Sequence, residues 1–177
     1  MKKTVLGFLI LAAYMTSSCA SSNGKGAIES ELPNALVEKI ASENELKVQD
    51  VHVFPQGTLK LQSGYISAIV FEDSIKNCTI YVSAENSLNA LFNGAPCEFK
   101  GAPELKISRN TEKPDILYSI KLFSPSQGAM ADEIVAFYFD TAKKSYCESQ
   151  SLSSWYQTGN KDMKPDLSDG RCTAEGS

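Results

Sequence analysis

Two lysines, Lys2 and Lys3, stand ahead of an apolar run at residues 5–15, and small residues follow: Thr16, Ser17, Ser18, Cys19 and Ala20. A basic n-region, an apolar h-region and a small-residue cleavage region make up a secretory signal. No other feature constrains the fold as much, because the compartment decides what the cysteines do. An exported chain meets an oxidising environment in which cysteines form disulfides. The apolar run is about half the roughly 20 residues that a spanning helix needs, so it reads as a removable signal. The next apolar stretch, residues 66–71, is shorter still.

Two processing routes fit this signal. Ser18-Cys19-Ala20 suits cleavage after Ala20, with small residues at both recognition positions. Alternatively, Ser17-Ser18-Cys19 resembles the end of the lipobox of bacterial lipoproteins, with Thr16 where that class usually carries leucine. The resemblance is confined to residues 1–26 and implies a signal peptide at residues 1–18 and a lipid on Cys19. Ala20 after the cysteine resembles lipoproteins sorted to the outer membrane. Residues 19–31 then read as a tether, since Ser21, Ser22, Asn23, Gly24 and Gly26 give it flexible-linker composition. The expected location is therefore the periplasmic side of the outer membrane, or the soluble periplasm.

The same signal resolves an odd cysteine count. Of five cysteines, Cys19 is lipidated or removed, leaving Cys78, Cys97, Cys147 and Cys172 as an even set. Four cysteines allow three pairings. The sequential one, Cys78–Cys97 and Cys147–Cys172, closes the shortest loops, each worth about 3 kcal/mol of chain entropy. A zinc ribbon needs close C-x₂₋₄-C pairs, and no two of these cysteines are spaced that way.

Residues 32–177, about 150 in number, suit one domain. The full chain carries 17 basic and 21 acidic residues, and losing Lys2 and Lys3 deepens the acidic excess. The only arginines are Arg109 and Arg171. A nucleic-acid binder carries a clustered basic face, so that class is excluded.

Leu36, Val37 and Ile40 recur at helical spacing, with Leu46 extending the stripe, and predict an amphipathic helix at residues 33–46 after Ser30 and Pro33. Beyond residue 47 the period changes to two. Val51 and Val53, Leu59 to Leu61, Cys78/Ile80/Val82, Leu105/Ile107, Ile116/Tyr118/Ile120/Leu122 and Val135/Phe137/Phe139 each line one strand face. Residues 65–71 are apolar on both faces, as a central strand should be. Pro55-Gln56-Gly57 signals a turn, and residues 86–92 a short helix or turn ended at Gly94. Residues 140–144 read as a hairpin loop into a strand at 145–148. The connections are too short for helical crossovers. The expected class is α+β: one N-terminal amphipathic helix packed on a mostly antiparallel, disulfide-braced sheet, with an irregular tail from residue 159.

Catalytic constellations are sparse. His52, the sole histidine, lies two residues from Asp50, and on a strand both would face one way. No G-x-S-x-G elbow supplies a nucleophile for such a pair. Glu72-Asp73 and Asp132-Glu133 are adjacent carboxylates, which a strand directs to opposite faces. Asp166, Asp169 and Gly170 lack the order of a calcium loop and read as turn residues. Asn77-Cys78-Thr79 matches a glycosylation sequon but contains a disulfide cysteine. No cofactor or metal is expected. Trp155 and Tyr156 differ: they stand in a serine-rich segment inside the Cys147–Cys172 loop, and aromatics on a braced loop are good interface anchors.

The expected function is thus non-enzymatic binding of another envelope or secreted protein, with Trp155 and Tyr156 as contact residues. An inhibitor or immunity factor against a cell-wall-active enzyme is one concrete form. A glycan- or small-ligand-binding lipoprotein is the alternative, with Tyr65, Tyr81, Tyr118, Tyr138 and Trp155 as stacking surfaces. A hydrolase with dispersed carboxylates is the third reading.

Overall fold

The computed structural model describes residues 28–71, 76–84, 87–107, 113–159 and 164–172. The signal region, Cys19, most of the tether and Glu72-Asp73 lie outside these residues.

The chain runs β1 (Ile28–Glu29), α1 (Asn34–Glu43), β2 (Val51–Leu61), β3 (Gly64–Phe71), β4 (Asn77–Ala84), β5 (Ser87–Gly94), β6 (Cys97–Phe99), β7 (Glu104–Lys106), β8 (Asp115–Ser124), β9 (Ala129–Asp140), β10 (Ser145–Glu148), α2 (Gln150–Thr158) and β11 (Arg171–Cys172). A 3₁₀ turn at Val48–Asp50 precedes β2. Among the described residues every strand pairing is antiparallel. The strands form two sheets, ordered β1-β2-β3-β4-β5 and β11-β10-β9-β8-β6, with β7 also on β8.

The two sheets face each other across one core. Leu59, Ile66, Ala68, Ile80 and Val82 from the first meet Phe99, Ile116, Tyr118, Ile120, Val135, Phe137 and Tyr146 from the second. Strand alternation then leaves a second face on each sheet, and a helix covers each. Under α1, Ile40 and Ala41 pack on Val51, Ile69, Phe71 and Tyr81. Under α2, Leu152 packs on Leu117, Ala136, Tyr138 and Cys147. Among the described residues the fold is mostly antiparallel sheet with two helices and two disulfides.

Several expectations are corrected. The strands divide into two sheets where one was expected, and α2 is a second helix. The predicted helix is present as α1, but β1 precedes it: Ile28 and Glu29, assigned to the tether, pair with Lys60 and Leu59. Pro55-Gln56-Gly57 does not end a strand. It forms a bulge inside β2, where the register to β3 shifts between Val53 and Thr58 and Gln56 adopts a left-handed φ of 60°. Pro55 is tolerated because bulges and near-edge positions need no ladder donor. Residues 87–94 are strand, since pairing along β4 overrides their weak helical pattern.

The four described cysteines pair sequentially. Cys78–Cys97 joins β4 to β6 and so ties one sheet to the other. Cys147–Cys172 joins directly opposed residues of β10 and β11. Two disulfides point to folding in an oxidising, exported environment. No helix among the described residues is long and apolar enough to cross a membrane.

Candidate functional site

The aromatic pair singled out in the sequence lies on α2, and the helix exists because of how its first turn is satisfied. Ser149 is the N-cap: its Oγ accepts from the Leu152 amide at 3.0 Å. The Ser149 hydroxyl donates in turn to Asp169 Oδ1 at 2.7 Å, and the Ser151 amide donates to Asp169 Oδ2 at 2.8 Å. One carboxylate from residues 164–172 thus completes the cap of a helix some 18 residues earlier. Burial acts to raise the Asp169 pKa, but the bonds from Ser149 and Ser151 outweigh it and hold the carboxyl below its usual range.

The helix is also stitched to β9. The Ser149 amide donates to Ala136 O, the Ala136 amide donates to Ser153 Oγ at 2.9 Å, and Ser153 Oγ donates to Ser149 O at 2.7 Å. These bonds continue the β9 ladder where β10 ends at its Glu148–Phe137 pair. Further along, Gln157 Nε2 donates to Asp132 O, and Gly159 ends the helix in the left-handed conformation that glycine adopts without strain.

This framework gives the two aromatics different roles. Tyr156 is an anchor: its hydroxyl donates to Oδ2 of the buried Asp115 at 2.8 Å, tying α2 to the start of β8. Trp155 meets it edge-to-face at 4.8 Å and is half-buried against the cluster beneath α2. It also lines a shallow cleft of about 480 Å³ between α2 and residues 164–169. Ser151, Ser154 and Thr158 line the helix side of this cleft, and Lys164 and Asp166 the other. The structure therefore brings Trp155 to a surface recess and directs Tyr156 inward.

Residues 164–172 return to the second sheet through the short β10–β11 ladder and several further attachments. Cys172 is bonded to Cys147. Arg171 donates through Nε and Nη2 to Glu148 Oε2 at 2.9 and 2.7 Å. Burial pushes the Glu148 pKa up, and Arg171 only partly offsets this. Tyr138 donates to Leu167 O at 3.3 Å. Gly170 sits so close to that phenol that a Cβ there would lie 2.1 Å from its oxygen.

Among the described residues, the remaining sequence candidates do not converge. His52 is exposed on β2, while Asp50 belongs to the preceding 3₁₀ turn, so strand alternation does not put them on one face. Asp132 is exposed and accepts from Lys100 Nζ at 2.9 Å, a bond that lowers its pKa. Asp166 accepts from the Ser168 amide and hydroxyl and shapes the turn before Asp169. Asp140 lies near the sulfurs of Cys147 and Cys172, but their mutual bond removes the thiolates a metal would need. Of the proposed stacking tyrosines, Tyr81, Tyr118 and Tyr138 are buried, because strand alternation directs them into the core or under a helix.

No protein family, no curated protein and no solved structure matches this chain.

Proposed function

We propose that this chain is a non-enzymatic exported binding protein that acts by protein–protein contact through α2 and the adjoining cleft. One observation carries the reading. Trp155, half-buried, lines the cleft on a short helix fixed at its cap by Asp169, at its middle by Ser153 and Tyr156, and near its end by Gln157. A large aromatic held on a rigid element loses little entropy on binding, which is what an interface anchor needs. An inhibitor or immunity factor against a cell-wall-active enzyme fits this scaffold. Its place is the periplasmic face of the outer membrane, held by a lipid on Cys19, or the soluble periplasm.

The carboxylates nearest the cleft support binding over hydrolysis. Asp166 and Asp169 are engaged in turn and cap bonds, whereas a glycosidase needs two carboxyls facing a common bond. Affinity capture from envelope extracts on the immobilised chain is expected to retain a protein at near one-to-one ratio. Absence of any stoichiometric protein partner sinks the reading.

A glycan ligand is the second reading, favoured by the hydroxyls of Ser151, Ser154 and Thr158 along the helix side of the Trp155 cleft. Peptidoglycan fragments titrated against the emission of Trp155, the sole tryptophan, test it. A saturable change supports the sugar, and a flat titration removes it.

A further inference from the structure

We propose that residues 164–172 form a strap latched by the Cys147–Cys172 disulfide, and that a dithiol reductant opens the α2 cleft by releasing this latch while the two sheets remain folded.

The strap carries two jobs at once. Lys164, Asp166 and Asp169 form one wall of the cleft. Asp169 also caps α2 through Ser149 and Ser151. The strap's other non-covalent attachments include the Tyr138 bond to Leu167 O and the packing of Leu167 in the cluster beneath α2. Its ladder to β10 is two residue pairs long, and the Arg171–Glu148 pair is mostly solvent-exposed on the arginine side. The Glu148 end of that pair is buried, but one ion pair and a short ladder offset only part of the entropy of ordering a segment of this length. The covalent bond is what makes these weak contacts sufficient, by keeping the strap local to β10.

The two disulfides differ in how a reductant reaches them. Cys78 and Cys97 are 0% and 5% exposed and lie between the sheets. Cys147 is equally buried, but Cys172 is half-buried at the surface, with Lys143 Nζ 3.3 Å from its sulfur. A thiolate of the dithiol therefore attacks Cys172 Sγ. The Sγ–Sγ bond breaks, a mixed disulfide forms on Cys172, and Cys147 leaves as a thiolate that takes up a proton. The second thiolate of the reductant then closes onto its own sulfur in the mixed disulfide. Cys172 is expelled as a thiolate beside the Lys143 ammonium, and the reductant departs as a cyclic disulfide. Two electrons have passed to the protein and two cysteines are free. With the latch gone, Asp169 leaves the α2 cap and the cleft loses its outer wall.

The inference takes its functional meaning from the binding reading above, but its test needs no ligand, so the two fail separately. The oxidised full chain is titrated with dithiothreitol under native conditions, with alkylation and peptide mass mapping at each step. Emission of Trp155, the sole tryptophan, and far-UV circular dichroism are recorded in parallel. The expected result is alkylation of Cys147 and Cys172 before Cys78 and Cys97, with a red shift of Trp155 emission and the sheet signal retained. Alkylation of Cys78 and Cys97 first, unchanged emission once Cys147 and Cys172 are reduced, or loss of the sheet signal in the same step would each overturn it. The Cys147→Ser/Cys172→Ser chain provides a second reading where it folds. It should show the red-shifted emission without reductant, and wild-type emission there would contradict the latch.

Discussion

Replacing Ser149 with alanine isolates the contact that joins the strap to α2. Ser149 is fully buried, and its one hydroxyl accepts from the Leu152 amide and donates to Asp169. Loss of an N-cap costs about 1 kcal/mol. A hydrogen bond to a buried carboxylate would add about 1.5–3 kcal/mol, but Asp169 is exposed, so screening reduces this to about 1 kcal/mol. Ser149→Ala should therefore destabilise the protein by about 2 kcal/mol, or about 4–8 °C in Tm for a domain of this size. Acid supplies the check on mechanism. The Asp169 carboxyl titrates below its usual range because the bonds from Ser149 and Ser151 outweigh its burial. Its contribution is complete above the unfolded value of about 4 and is lost as pH falls through the lower folded value. The penalty of Ser149→Ala should shrink toward that of the cap alone below about pH 4. Urea unfolding of both chains across this range is the assay. A penalty under about 0.5 kcal/mol, the usual spread of neutral surface changes, would refute the cap. A penalty independent of pH would refute the role of Asp169.

Other perturbations test neighbouring parts of the same region. Arg171→Ala removes the hydrogen-bond partner of a glutamate whose side chain is 4% exposed, and should cost about 1–2 kcal/mol at neutral pH. Because burial raises the folded Glu148 pKa above 4.5, the folded state takes up its proton first. Stability should rise as pH falls through that raised value, and the Arg171→Ala penalty should shrink with it, as read by urea midpoints between neutral pH and 4.5. Gly170→Ala places a methyl against the Tyr138 phenol and should cost about 1–3 kcal/mol through overpacking, with loss of amide protection at residues 167–172 by hydrogen exchange. Leu152→Ala leaves a cavity at a fully buried position and should cost about 2–5 kcal/mol in denaturant unfolding.

The strands were legible wherever one face of a sheet is apolar in strict alternation. Ile116, Tyr118 and Ile120, then Val135, Phe137 and Phe139, announced β8 and β9 this way. The division into two sheets was not legible, because a strand between a facing sheet and a covering helix is buried on both sides. In β4, Ile80 and Val82 face the other sheet while Tyr81 lies under α1, and no period in the sequence says which partner lies on which side. The α2 helix had a local signal that the serines obscured. Leu152, Trp155 and Tyr156 stand at helical spacing after an N-capping serine, but Ser151, Ser153 and Ser154 are weak helix formers. What holds the helix is the carboxylate of Asp169 and the backbone of Ala136, and neither is near in sequence. The same distance hid the division of labour between Trp155 and Tyr156. Tyr156 turns inward because Asp115, 41 residues away, accepts its hydroxyl.

The binding surface is tested most directly by quantitative capture of envelope proteins on the immobilised full chain, run beside its Trp155→Ala and His52→Ala forms. All three should first show matching far-UV circular dichroism. A protein retained at near one-to-one ratio by the parent and by His52→Ala, and lost from Trp155→Ala, is the predicted result. Equal retention by Trp155→Ala would contradict a contact surface on α2.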